Sequence, residues 1–305
     1  MIKKETAKFC GLFFRFYNLK GIFAMNIQWF PGHMTKAIRM MEENLRLIDI
    51  VIELVDARLP ISSRNPKVDE LVGSKPHLIV LNKSDIADPE VTKLWEEYFS
   101  KNGMSAVSVS STSGKNFNFI FDKCRVLLKD KIQREKEKGI INRSIKIMVC
   151  GVPNVGKSSF INKLSGKKSA ITGDRPGVTK GKQWIRLKNN FELLDTPGIL
   201  WPKFDDDQVG LRLAYTGAVK DEIIDVEELA CHLLTFLRNE YSESLVQRYK
   251  MTETEGLEGY ELLEYLGRKR GFVVSGGEID TERAAHILLD EFRGAKLGNI
   301  SLERP

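Results

Sequence analysis

Two short polar stretches constrain this chain most, through the order in which they occur. Asn82-Lys83-Ser84-Asp85 comes first, and the glycine-rich Gly151-Val152-Pro153-Asn154-Val155-Gly156-Lys157-Ser158 comes second. Each is fed by an apolar, β-branched run, His77 to Leu81 and Ile145 to Cys150, which reads as a buried strand. Further strands are expected at Asp49 to Val55 and Ala106 to Val109. A strand pair, Gln183 to Leu187 with Phe191 to Leu194, is joined by the turn Lys188-Asn189-Asn190. Helices are expected at Met34 to Leu47, at Asp88 to Ser100 with Pro89 in its first turn, at Asn116 to Lys138 as one long element, and at Ser158 to Leu164. Strands alternating with helices require a mainly parallel sheet covered on both faces. Beyond the acidic run Asp205-Asp206-Asp207 the pattern is helical: Val209 to Val219, Val226 to Tyr241, Tyr260 to Arg270 and Thr281 to Phe292. The fold class is therefore α/β, followed by a small all-α C-terminal domain, with a boundary near Phe204.

The glycine-rich stretch fits GxxxxGK[ST], a loop whose backbone N–H groups curl around phosphate. Donors are expected from Asn154, Val155, Gly156, Lys157, Ser158 and Ser159, with the positive end of the following helix behind them. Lys157 would reach the β- and γ-phosphates, and Ser158 would ligate magnesium. Asp195-Thr196-Pro197-Gly198 ends the strand Phe191 to Leu194. There Asp195 would hold magnesium through water and the Gly198 N–H would bond the γ-phosphate. Thr179, between the two phosphate motifs, is the candidate that closes on magnesium. In the earlier stretch, Asp85 would accept from guanine N1–H and the exocyclic amine, a donor pair that adenine lacks. Asn82 would support the loop, the Lys83 stem would lie over the base, and the Ser110-Ser111 loop would meet guanine O6. In an ordinary GTPase the phosphate loop precedes the base reader. Here the order is inverted.

These motifs in this order resemble the circularly permuted P-loop GTPases. Trp29-Phe30-Pro31-Gly32-His33-Met34, Asp56-Ala57-Arg58-Leu59-Pro60 and Gly294-Ala295-Lys296-Leu297-Gly298 resemble the bacterial ribosome biogenesis GTPase A family in particular. The resemblance covers roughly residues 25 to 305. It implies a cytoplasmic GTPase, in domain 25–204, that binds GTP and GDP and acts on the maturing large ribosomal subunit. It also implies that the helical domain, 205–305, touches ribosomal RNA. A switch unrelated to ribosomes, regulatory or membrane-associated, is the competing reading, and a GTP-bound scaffold with little turnover is a third.

Ile199 stands where Ras-like enzymes carry a water-orienting glutamine, so unaided hydrolysis should be slow. The resemblance points to His33 as the group that reaches the γ-phosphate on docking; read without it, His33 is a loop histidine that caps the next helix. With Lys157 and Thr179 it completes the expected catalytic set. Asn154 also matches the asparagine that ligates potassium in cation-stimulated relatives, which adds K+ to Mg2+ as an expected cofactor.

A net charge of +6 and a pI near 9.0 favour an acidic partner, nucleic acid before membrane. Arg268, Lys269, Arg270, Arg283, Arg293 and Lys296 are the RNA-facing candidates; the plainer reading is capping of helix C-termini. Cys10, Cys124, Cys150 and Cys231 lack metal-ligand spacing and read as reduced thiols. Phe9 to Ala24 is aromatic but interrupted by Arg15 and Lys20, too short and charged to span a bilayer. Residues 1–24 therefore read as an extension ahead of a start at Met25, with a targeting segment as the competing reading; no stable membrane association is expected, and a monomer is the default.

Overall fold

The computed structural model describes residue 39 and residues 41–141, 143–166, 184–194 and 206–305. His33, Thr179, Asp195, Gly198, Ile199, the extension 1–24 and the boundary near Phe204 lie outside the described residues.

Among the described residues, six strands form one sheet: β1 (Ile50–Asp56), β2 (His77–Asn82), β3 (Ser105–Ser108), β4 (Ile145–Gly151), β5 (Trp184–Arg186) and β6 (Phe191–Leu194), in the order β3-β2-β1-β4-β6-β5. All neighbours are parallel except β5 with β6. The central strand β1 is buried along its whole length, as expected for a parallel strand covered on both faces.

Chain direction decides which face each helix covers. From β1 the chain moves one way through β2 to β3, by α1 (Pro66–Val72) and α2 (Pro89–Lys101). It then returns to β4, on the other side of β1, by α3 (Phe117–Leu127) and α4 (Lys129–Glu137), and leaves through α5 (Lys157–Ser165). Parallel crossovers are right-handed, so α1 and α2 share one face while α3 and α5 share the other. The cores agree. Val51 packs with Val68 and Val72 of α1, and Ile79 with Trp95 and Phe99 of α2. Ile50, Ile52 and Leu54 instead meet Phe117, Ile120, Phe160 and Leu164.

Helix starts follow local chemistry. Asp88 Oδ1 accepts from the N–H groups of Glu90 (2.9 Å) and Val91 (3.2 Å), ahead of Pro89 at the first position. The expected single helix from Asn116 to Lys138 is in fact two. Leu128, at φ −100° and ψ 7°, leaves helical geometry between them. It is also buried, so the bend turns its side chain into the core while the charged α4 continues in solvent. Two helices were not visible as apolar periods: α1, which is short, and α8 below.

The helical part contains α6 (Asp207–Tyr215), α7 (Val226–Glu240), α8 (Ser242–Tyr249), α9 (Tyr260–Arg270) and α10 (Thr281–Arg293). Leu233, Leu234, Leu263, Leu266, Leu288 and Leu289 fill its interior, in one apolar cluster continuous with the sheet's α3–α5 face. Cys124, Cys150 and Cys231 are buried free thiols. Among the described residues no helix is long and apolar enough to cross a membrane.

Candidate functional site

The strand order reverses beside β1, and in open parallel sheets ligands collect at the carboxyl ends of the strands at such a point. Register places three chain segments there. Leu54 pairs with Gly151, and Asp56 pairs with Asn82. The loops after β1, β2 and β4 therefore leave from one edge, which brings the inverted motifs together although their order in the chain is exchanged.

Asn82 joins them. Its side chain is buried. Nδ2 donates to the Val155 carbonyl at 2.8 Å, inside the phosphate loop. Oδ1 accepts from the Ser111 N–H at 3.2 Å and from the Ser111 hydroxyl at 2.7 Å. One amide thus fastens the base-reading loop, the phosphate loop and the Ser110-Ser111 loop to each other. Ser110 is buried, and its hydroxyl accepts from the Ser113 N–H at 3.1 Å, shaping that third loop. Asp85 is exposed, with its carboxylate available to a ligand.

The phosphate loop takes its shape from backbone geometry. Asn154 (φ 57°) and Gly156 (φ 92°) both lie in the left-handed region. A Cβ on Gly156 would stand 2.6 Å from Asn82 Nδ2, and one on Gly151 would stand 2.5 Å from the Leu54 carbonyl, so both positions admit only glycine. Val155 is buried, while Lys157 and Ser158 open α5 at the lip of the loop, with Ser159 exposed beside them. A helix N-terminus aimed at this lip suits an anion. Asn154 Nδ2 donates to the Gly217 carbonyl just beyond α6, so the loop touches the helical part directly.

The hydroxyl of Ser158 is a hard oxygen donor of the type magnesium takes. The other expected magnesium ligands, Thr179 and Asp195, and the γ-phosphate donor Gly198, lie outside the described residues, as does His33.

The corner around the base-reading loop is clamped by side chains. Asp56 Oδ1 accepts from Arg58 N and Nε, each at 3.0 Å, and Oδ2 accepts from Arg58 Nη2 at 2.8 Å and lies 3.0 Å from Lys83 Nζ. Burial pushes the Asp56 carboxyl up, but the Arg58 and Lys83 charges and the Arg58 hydrogen bonds outweigh it and hold it well below its ordinary 3.8. Burial pushes the Lys83 ammonium down, which Asp56 only partly offsets.

The segment Ile300 to Glu303 then crosses the outside of this corner. The Ile300 N–H donates to the Ile86 carbonyl (3.3 Å), the Asp88 N–H to Ser301 Oγ (3.2 Å), and Trp95 Nε1–H to the Glu303 carbonyl (3.2 Å). The Glu303 carboxylate accepts from the N–H groups of Ile61 (2.8 Å) and Ser62 (3.0 Å) and from Arg212 (3.3 Å). Sequence reasoning missed this strap, because nothing in its residue types marks a partner so far back in the chain.

The basic candidates differ in placement. Arg268, Lys269, Arg270, Arg283 and Lys296 are exposed. Arg293 is turned inward: it donates to the carbonyls of Tyr215 (3.0 Å) and Ala214 (2.9 Å) and forms a two-pronged pair with Asp221, 2.7 Å for each contact.

A family model described as a 50S ribosome-binding GTPase matches residues 146–266. That match begins in β4, so the permutation leaves β1 to β3 outside it. Ribosome biogenesis GTPase A of Bacillus cereus is 50% identical, over 92% of this chain and 95% of its own length. The protein of that name from Thermotoga maritima is 35% identical, over 92% and 95%. Among solved structures, GNP-bound YlqF from T. maritima superposes with a TM-score of 0.62 at 31% identity, covering 88% of this chain and 98% of that one. A GDP-bound YlqF structure gives 0.63 at 30% identity, covering 88% and 99%.

Proposed function

Because this chain belongs to the ribosome biogenesis GTPase A family, we propose that it is a GTP-hydrolysing assembly factor of the large (50S) ribosomal subunit, binding in the GTP state and leaving after hydrolysis. The observation that carries the reading is Asn82, whose side chain holds the base-reading and phosphate loops at one sheet edge despite their inverted order.

In this reading Asp85 selects guanine, the Lys83 stem covers the base, and the Ser110-Ser111 loop meets the base carbonyl. Backbone N–H groups from Asn154 to Ser159 surround the phosphates, and Lys157 neutralises the β,γ-bridge as charge develops there. Ser158, with Thr179 and Asp195, would hold magnesium, which would supply further charge neutralisation to the phosphate oxygens. Gly198 senses the γ-phosphate. His33 orients the attacking water once the subunit is bound. Asn154 would hold a stimulating potassium ion.

The domains follow the same division: a permuted GTPase over 25–204 and a helical RNA-binding part over 205–305. Arg268, Lys269, Arg270, Arg283 and Lys296 give the helical part its phosphate-facing charge, and Arg293 supports it from within. The protein works as a cytoplasmic monomer.

Co-sedimentation with large subunits tests the function. Binding with a non-hydrolysable GTP analogue and release with GDP are expected. No binding in either state favours a switch unrelated to ribosomes. For His33, single-turnover hydrolysis in the presence of subunits should collapse in His33→Ala while nucleotide affinity holds. Unchanged stimulated turnover would remove His33 from the mechanism.

A further inference from the structure

Asp56 ends β1 at the nucleotide edge, and none of the roles above uses it. Its two oxygens are taken by Arg58 and by Lys83 Nζ. Lys83 is held at both ends. Its backbone is in the left-handed region at φ 61°, which a lysine seldom adopts, and its ammonium is pinned to Asp56. The stem between these points passes the phosphate loop, with Cε 4.0 Å from where a Cβ on Gly156 would stand. An unrestrained lysine stem samples many rotamers, and fixing it on ligand binding costs affinity.

Arg58 is itself fixed, with 2% exposure. Its guanidinium lies 5.4 Å from the centre of the Phe292 ring in α10, and its carbonyl accepts from the Leu302 N–H at 2.6 Å. The pair is therefore wedged between the sheet and the helical part. A buried ion pair of this kind is a weak source of net stability compared with apolar packing, whereas it is well suited to fixing one geometry.

We infer that Asp56 is a positioning residue for guanine nucleotide: it stretches Lys83 so that the stem is already in place to cover the base, and Arg58, braced by the helical part, keeps Asp56 in that position. The inference rests on the reading that residues 82–85 bind guanine. It adds a path by which the helical part sets nucleotide affinity, separate from the γ-phosphate.

A double-mutant cycle on the full chain tests it, with dissociation constants for GDP and for a non-hydrolysable GTP analogue measured for the parent, Lys83→Ala, Asp56→Asn and both together. Lys83→Ala and Asp56→Asn should each weaken both nucleotides by about tenfold. In the Lys83→Ala background, Asp56→Asn should add less than about twofold, because it then has no stem to position. The loss should appear in KM for GTP rather than in kcat. Arg58→Lys keeps the charge but loses the planar fork, and should weaken both nucleotides severalfold. It serves in place of Asp56→Asn if thermal melting without nucleotide shows that variant to be unfolded. If Lys83→Ala leaves GDP affinity intact, the base-site reading itself fails. If Lys83→Ala weakens binding but Asp56→Asn and Arg58→Lys do not, the positioning role is overturned and the base site stands. Equal losses from Asp56→Asn with and without Lys83 overturn it as well.

Discussion

The base-reading corner and the phosphate loop share one sheet edge, and they are held in place by different means. The phosphate loop is shaped mainly by its own backbone: a left-handed Asn154, a left-handed Gly156, and a Gly151 with no room for a Cβ. The base corner is shaped by side chains that arrive from elsewhere. Arg58 grips Asp56, Asp56 grips Lys83, and residues 300–303 lie across Ile86, Asp88 and Trp95. Backbone shaping concentrates the requirements in a few consecutive residues, with Leu54, Asn82 and Gly217 as their outside neighbours. Side-chain clamping spreads the requirements over the chain and makes the corner responsive to the helical part.

Substitutions on either side of this contrast should fail in different ways. The largest effect is expected in the phosphate loop. Gly156→Ala adds left-handed strain and pushes on the buried Asn82 amide, about 4 kcal/mol together, or roughly a thousandfold in GDP affinity. Titration calorimetry reads it, and a loss below tenfold would show the loop to be more pliable than its backbone geometry implies.

Next is the charge clamp. Asp56→Asn leaves Arg58 buried against a neutral partner, and should lower unfolding free energy at neutral pH by about 3 kcal/mol. The Asp56 carboxyl is depressed below 3.8 in the folded chain. The contribution of its charge is therefore complete above pH 3.8 and is lost only as pH falls further, towards the folded value. Denaturant titrations of parent and variant should stay separated at pH 4 and converge below it. Convergence already at pH 5 would contradict the clamp.

The smallest effect is at the strap. Glu303→Gln retains the shape and removes the charge that serves Ile61, Ser62 and Arg212. A loss of about 1 kcal/mol is expected, read as a lower midpoint in urea.

The same contrast explains what could be read from sequence. The sheet was legible because β1 and β4 are mostly apolar and β-branched, broken only by Glu53 and Asp56 in β1 and by Lys146 in β4, and the phosphate loop because its residues are adjacent. Asn82, Lys83 and Asp85 were legible for the same reason. Asp56-Ala57-Arg58 was visible as a motif, but its work on Lys83 depends on the β1–β2 register, which pairs Asp56 with Asn82. Arg293 had the right charge for an RNA contact, and only the fold reveals the inward carbonyls and Asp221 that it meets. The break at Leu128 was hidden because Cys124, Leu128 and Ile132 keep helical spacing across it and the charged residues beyond are good helix formers. Leu302 and Glu303 carried no signal, since their partners lie at Arg58, Ile61 and Ser62.

The strap also sets an order of events during synthesis. Strands β1 to β3 leave the translating ribosome long before residues 300–303 do. Until then Arg58 lacks the Leu302 contact, and Ile61 and Ser62 lack their carboxylate. A nascent chain can close its sheet early, but this corner gains its last contacts only once residues 300–303 have emerged.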